Sequence, residues 1–349
     1  MIWLTWRQFR AQAWVTAAAL AVIAAALAIT GAHLAHLYDL SGLAACQAHG
    51  DCAAVADSFM IQIKASTTDK IFYDGGALVV YAVPALIGVF WGAPLLTREI
   101  ESGTFRLAWN QSVTRTRWLA VKLGLIGLAA MATAGLLSLM TGWWGSPVDH
   151  ALDLPQGRNG VSGVNRFAPL LFGARGITPV GYAAFAFALG VTLGLLIRRT
   201  VPAMAATLAV FTGTMVTMAV WIRPHLITPL HAVSAFTAAN LDQMSTGPAP
   251  GSPMTVTDAV NLPGAWVLSN QTITPSGHVF TGPAPRICFS GTGQACINYV
   301  GRLHLRQLVT YQPASRYWTF QGYETAIFLA LALALAGFCF WWIRRRRLS

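Results

Sequence analysis

The sequence predicts an all-α membrane protein. It has six transmembrane helices, an N-terminal amphipathic helix, and a small disulfide-stapled extracytoplasmic domain between helices 5 and 6. Three observations carry this. Only 10% of the 349 residues are charged and 55% are hydrophobic, against about 25% charged in an average soluble domain. Six stretches free of Asp, Glu, Lys and Arg lie at about 13–36, 76–97, 123–145, 177–197, 203–222 and 325–343. Each is long enough for a bilayer, which needs roughly 20 apolar residues. One charge at a helix centre costs about 2.5–3.5 kcal/mol on insertion, so six such runs do not suit buried helices of a soluble fold. The third observation is where the charges fall. Segments 1–12, 98–122, 198–202 and 344–349 hold thirteen of the 23 Lys/Arg but only two of the 12 acidic residues.

With six crossings, these four basic segments share one side with both termini. The positive-inside rule makes that side cytoplasmic. The net charge of +11 therefore faces anionic lipid headgroups, and no nucleic-acid partner is needed to explain it. The first apolar run is longer than a signal-peptide core of about 7–15 residues and reads as a retained helix.

Along the chain, MIWLTWRQFRAQ at 1–12 has Ile2, Trp6 and Phe9 at helical spacing, with Trp3, Arg7 and Arg10 around them. Such a helix lies in the interface plane, either as a membrane anchor or as an elbow against a cytoplasmic partner. The first outer loop, about 37–75, is polar; the second, 146–176, is rich in Gly and Pro. The third spans 223–324, too long for a structureless connection. Turns and short strands are predicted there, for example in AWVLSNQTITPSGHVF at 265–280. The resulting organisation is a transmembrane domain over 1–222, an extracytoplasmic insertion over 223–324, and a sixth helix with a basic tail over 325–349.

The cysteines follow the same topology. Cys46 and Cys52 share the first outer loop, Cys288 and Cys296 share the last, and Cys339 sits alone in the sixth helix. Two close pairs outside suit disulfides in an oxidising compartment. A zinc site at Cys46, His49 and Cys52 is the competing reading, with no second ligand pair near it.

No GxxxxGK[ST] loop, HExxH or GxSxG elbow is present, so the chain offers neither a nucleotide cradle nor a familiar catalytic framework. No cofactor or resident metal is expected on this chain. The uncharged crossings also lack the acidic groups that proton-coupled pumps use. Glu324, at the outer start of the sixth crossing, reads as an interfacial carboxylate at a helix N-terminus.

The most polar run, TREIESGTFRLAWNQSVTRTRW, begins at Thr97 between the second and third crossings. Gly103 can break the helix, and Thr104 is placed to cap a second short helix, Phe105–Gln111. Phe105 and Trp109 would share one face of it. Arg115, Arg117 and Lys122 need no role beyond fixing topology. Glu99 and Glu101 are the only acidic residues on the inner side, and a partner-facing role accounts for them.

Arg98-Glu99-x-Glu101-x-Gly103-Thr104, followed by Arg115-x-Arg117 and Lys122, resembles the corresponding loop of type-2 ABC exporter permeases. The C-terminal stretch from Tyr311, YQPASRYWTFQGYETAIFLALALALAGFCFWWIRRRR, is similar to their actinobacterial branch. The resemblance covers nearly the whole chain; the insertion before the sixth helix is larger than in the simplest members. It implies a bacterial plasma-membrane permease that pairs with a second permease chain, the same or homologous. A separate ABC ATP-binding subunit would hydrolyse Mg-ATP. The loop from Glu99 to Gln111 would be the coupling helix seated in that ATPase, and segment 1–12 the connecting helix beside it. Nucleotide would then bias a rigid-body switch from inward-open to outward-open. Reversing Glu99 and Glu101 to Arg is expected to weaken ATPase docking and leave membrane insertion intact.

Cargo contacts would come from crossings near the dimer axis, with Thr207, Thr212, Thr214 and Thr217 of the fifth as candidates. Threonine also packs well between membrane helices. An apolar path suits a drug, lipid or peptide. Two other readings stand beside export. One is a membrane-embedded enzyme working at the outer face, with Asp258, His278 and His304 as its candidate residues. The other is an ABC-coupled signalling or resistance module that carries nothing.

Overall fold

The computed structural model describes residues 2–46, 52–67, 71–102, 114–153, 165–236, 241–258, 262–289 and 293–345. It is mostly helical, and six helical stretches are long and apolar enough to cross a membrane: Thr5–Leu40, Ile71–Glu101, Arg115–Asp153, Thr178–Ile197, Thr200–His225 and Ala314–Arg345. They are called the first to sixth crossings below.

The first helix runs unbroken over Ile2–Leu40. The predicted amphipathic segment 1–12 is thus not a separate helix but the first turns of the crossing itself. Thr5 and Phe9 are buried, whereas Trp3 and Trp6 are 68% and 46% exposed. At 1.5 Å per residue the 39-residue helix is about 58 Å long, nearly twice a bilayer's hydrocarbon thickness of about 30 Å. The third helix, Arg115–Asp153, has the same length and absorbs the start of the predicted second outer loop.

The fourth crossing is the central pole. Some 78% of its most apolar window is buried, against 6% for the first crossing. It packs on the second, third, fifth and sixth crossings. Small residues make this possible. The second crossing carries Gly88 and Gly92, the fourth Gly190 and Gly194, each pair one turn apart. A Cβ on Gly190 would lie 2.3 Å from the Gly88 carbonyl oxygen, and one on Gly92 would lie 2.6 Å from the Phe187 carbonyl oxygen. The two backbones therefore touch, as small-xxx-small faces allow in membranes. Residues Gly88–Gly92 form a π-helical turn, the kind of local widening that often marks working segments. Arg198, with φ of 58°, ends the fourth helix in the left-handed region. The chain then reverses at once into the fifth.

Beyond the first crossing, the short helices Leu43–Cys46 and Ala53–Ala65 are joined by the Cys46–Cys52 disulfide. That pairing replaces the zinc reading. Phe59 and Leu43 pack there against Leu34, Trp144 and Val148, so these two short helices form an apolar cap on the first and third crossings rather than a purely polar tether.

The insertion between the fifth and sixth crossings contains strands, as the sequence predicts. Strands β1 (Leu230–Ala235), β4 (Trp266–Ile273) and β5 (Arg306–Gln312) form an antiparallel sheet in the order β1-β5-β4. Strands β2 (Leu241–Thr246) and β3 (Met254–Asp258) pair separately. Met254, Val256, Cys296 and Val300 lie in its small core, tied by the Cys288–Cys296 disulfide. A core this small gains most from a covalent tie.

Candidate functional site

The polar segment singled out in the sequence begins on an orderly helix, Ala93–Glu101, which extends the second crossing. Its two carboxylates have partners inside the chain. Glu99 accepts hydrogen bonds from Lys122 Nζ on the third crossing and from Gln8 Nε2 on the first, the latter at 3.2 Å. Lys122 is buried, with its ammonium 4.7 Å from the centre of the Trp118 ring. Glu101 receives the Thr200 backbone N–H at 2.9 Å and the Thr200 hydroxyl at 2.7 Å. It thereby occupies the N-terminus of the fifth helix, where the first N–H groups lack intrahelical partners and the dipole favours an anion. The Thr200 hydroxyl is also 3.0 Å from that of buried Thr97.

One short helix is thus tied by side chains to the first, third and fifth crossings. Phe9 packs edge-on to Trp91 at 4.9 Å, and a cavity of about 250 Å³ opens among Gln8, Phe9, Trp91, Glu99 and Lys122. Glu99 and Glu101 are thus not free for a partner alone: both also hold this end together within the chain. Reversing them would break internal contacts as well as any docking contact.

Arg98 is exposed. Arg115 and Arg117 are exposed at the start of the third helix, where the Arg117 N–H reaches Thr114 Oγ1 at 3.4 Å, the geometry of an N-cap. Gly103, Thr104, Phe105 and Trp109, with the helix expected at Phe105–Gln111, lie outside the described residues. Trp3, Trp6, Arg7 and Arg10 are all exposed on the first helix, with the Arg7 guanidinium 5.4 Å from the Trp3 ring centre.

The four threonines of the fifth crossing differ in their burial. Thr207 is fully buried and donates to the Ala203 carbonyl at 2.7 Å. Thr214 and Thr217 donate to Val210 and Gly213 carbonyls at 2.8 Å each. Thr212 and Thr217 fall on the exposed side of the helix, while Thr214 is half-buried.

The opposite end of the bundle, where the insertion emerges, holds a site the sequence reading missed. Glu324 is not an interfacial carboxylate at a helix start. The helix begins at Tyr317, and Glu324 sits two turns in, fully buried. Arg223 grips it with two bonds, 2.8 and 2.9 Å long, while its guanidinium lies 4.1 Å from the Phe172 ring centre. The Tyr182 hydroxyl of the fourth crossing donates to the same carboxylate. Gln321, one turn earlier, accepts the Ile177 and Thr178 N–H groups at 3.1 Å each and so caps the fourth helix. The available signal was that Arg223 and Glu324 have opposite charges and flank apolar runs at the same end.

The ion pair at the other end yields a directional expectation. The Lys122 and Glu99 side chains are 3% and 15% exposed. Glu99→Ala strands a buried ammonium and should cost toward the lower end of the about 3–5 kcal/mol typical of breaking a buried pair. Lys122→Met leaves a carboxylate that still reaches solvent and Gln8, so it should cost less. The double variant should resemble Lys122→Met. Thermal unfolding of the three in one detergent checks the order.

His278 and His304 are both exposed and lie in separate connecting segments of the insertion. Among the described residues, no group of three His, Cys, Asp or Glu side chains is placed to hold a metal ion. The fold defines the chain as a six-crossing membrane protein whose polar work lies in ties between helices. The chain belongs to the ABC-2 membrane transporter related family, which matches residues 17–223. Membership makes it a membrane permease component rather than a catalytic enzyme and implies partnership with an ATP-binding subunit. Comparison with curated proteins and with solved structures finds no match.

Proposed function

We propose that the chain is the transmembrane subunit of an ABC exporter of the actinobacterial type-2 kind. It moves a hydrophobic or amphipathic compound (a drug, lipid or peptide) out across the plasma membrane. Both termini and the 97–118 loop face the cytoplasm. A separate subunit binds and hydrolyses Mg-ATP, and a second permease chain completes the path. The observation that carries this reading is the convergence at Ala93–Glu101. Glu99 and Glu101 connect that helix to Gln8, Lys122 and Thr200 on three different crossings. A displacement applied to the loop that follows reaches all three together, as coupling to a motor below the membrane requires.

The coupling role falls to the segment after Glu101, with Gly103, Thr104, Phe105 and Trp109 as its candidate docking residues. Arg98, Arg115 and Arg117 supply exposed charge around it. The N-terminal helix, with Trp3, Trp6, Arg7 and Arg10, flanks the same surface. Thr212 and Thr217 are the fifth-crossing threonines exposed enough to meet cargo or the second chain.

The test is purification of the tagged full chain from its native host in mild detergent, with ATP hydrolysis measured on the eluate. An ATP-binding subunit is expected to co-elute, with vanadate-sensitive turnover. Trp109→Asp should lose that subunit while the chain still inserts in the membrane. Co-elution of the variant at wild-type stoichiometry would remove Trp109 from the docking surface. A wild-type chain eluting alone and inactive would defeat the reading.

A further inference from the structure

At the insertion-bearing end, a cavity of about 490 Å³ opens between the third helix, the turn before the fourth crossing and the start of the sixth. That volume is within the about 300–1,000 Å³ usual for small-ligand sites. Its polar wall carries the carboxylates Asp149 and Asp153 and the guanidiniums of Arg166 and Arg175, with the His150 imidazole beside them. Arg166 pairs with Asp153 at 2.7 Å, and Arg175 lies 3.8 Å from Asp149 through its Nε. The second pair is loose. Arg175 Nε is buried and has no hydrogen-bond partner, although Arg175 Nη1 donates to the Thr141 carbonyl. Arg175 is only 8% exposed. It lies flat against the third helix because Gly145 has no side chain; a Cβ there would be 2.1 Å from its terminal nitrogen.

The rim is of the opposite character. Trp143 and Trp318 line the cavity and are 63% and 61% exposed. Both flank apolar membrane-crossing stretches, the level at which tryptophans meet the headgroup layer. The cavity therefore joins an interior of acids and bases to an exposed mouth lined by tryptophans, on the flanks of apolar membrane-crossing stretches.

We propose that this cavity holds the headgroup of a zwitterionic phospholipid. The phosphodiester takes the Arg175 and Arg166 guanidiniums, whose planar forks suit phosphate oxygens. The headgroup ammonium takes Asp149 and Asp153, with the Trp faces beside it. The acyl chains leave past Trp143 and Trp318. A set of two carboxylates and two guanidiniums accepts a dipolar ligand without leaving a buried charge unpaired, whereas an anionic lipid would leave the two carboxylates facing its phosphate. The site is distant from the coupling segment and does not depend on what the transporter carries.

Titration of the purified, delipidated full chain with defined lipids tests this, read by native mass spectrometry and by thermal shift. Phosphatidylethanolamine is expected to bind saturably and at least tenfold more tightly than phosphatidylglycerol. Arg175→Gln and Asp149→Asn should each weaken it about tenfold. Should the buried Arg175→Gln fail to fold, Trp318→Ala and Asp153→Asn at the more open side must still weaken binding severalfold. Equal affinity for phosphatidylglycerol, or unchanged binding in the folded variants, overturns the proposal. Equally tight binding of soluble glycerophosphoethanolamine would also overturn it, because the tryptophan-lined mouth would then contribute nothing.

Discussion

Glu324→Ala is expected to unfold the insertion-bearing end of the helix bundle more readily than any surface substitution, with a loss of about 3–5 kcal/mol. The variant leaves the Arg223 guanidinium fully buried with neither of its two carboxylate bonds, and it takes the acceptor from Tyr182. The size of the effect comes from the stranded charge rather than from the worth of the pair. Arg223→Leu combined with Glu324→Leu should therefore recover much of the loss. Tyr182→Phe removes one hydrogen bond to a charged group and should cost about 1.5–3 kcal/mol. Denaturant unfolding of the three variants and the wild type in detergent gives the comparison. If Glu324→Ala and the double leucine variant were equally unstable, the pair would be stabilising in its own right.

The location of this pair gives it a consequence for movement. Arg223 closes the fifth crossing, and Glu324 lies in the sixth. At the other end, Glu101 holds the beginning of the fifth crossing through Thr200. The fifth crossing is thus pinned at both ends by side chains of other helices, while much of its length stays exposed. A rigid-body response to the loop is the form of motion such pinning favours.

Gly190→Val is expected to be the most damaging single change in the middle of the bundle. Its new Cβ would stand 2.3 Å from the Gly88 carbonyl oxygen and 2.8 Å from the Ala93 nitrogen. Both neighbours are backbone, so no flexible side chain can swing away. The second and fourth crossings must separate, at or above the upper end of the about 1–3 kcal/mol usual for overpacking. Gly124→Ala is the control, since nothing lies within 4 Å of that position. It should be neutral or stabilising by up to about 1 kcal/mol through helix propensity alone. Yield of monodisperse protein and its thermal midpoint report both. Normal stability of Gly190→Val would show that the two helices need not touch.

Some of this structure was legible because it is local. The strands at 265–280 were read from short β-type runs between turn residues, and β4 occupies Trp266–Ile273. Both cysteine pairings came from close spacing within one loop. The threonines of the fifth crossing were less informative, since a hydroxyl that bonds its own helix one turn back has the same sequence as one that faces a cargo path. Spacing puts Ile2, Trp6 and Phe9 on one side of the first helix, and neighbouring helices cover Thr5 and Phe9 while Trp6 stays exposed. Periodicity can say that two residues share a face, but not which face another helix will cover.

By itself, the sequence determined the membrane class, six crossings, the side on which basic residues gather, and the polar segment that begins at Thr97. Each follows from hydropathy and charge along a window of about 20 residues, and a bilayer reads such windows one at a time. Only the tertiary structure decided that Glu99 and Glu101 are ties between crossings, that Arg223 meets Glu324 across 101 residues of sequence, and that Gly190 lies against Gly88. Those outcomes depend on which helices become neighbours. That choice is made by backbone contact and by the need to pair buried charge, neither of which any single window of sequence contains.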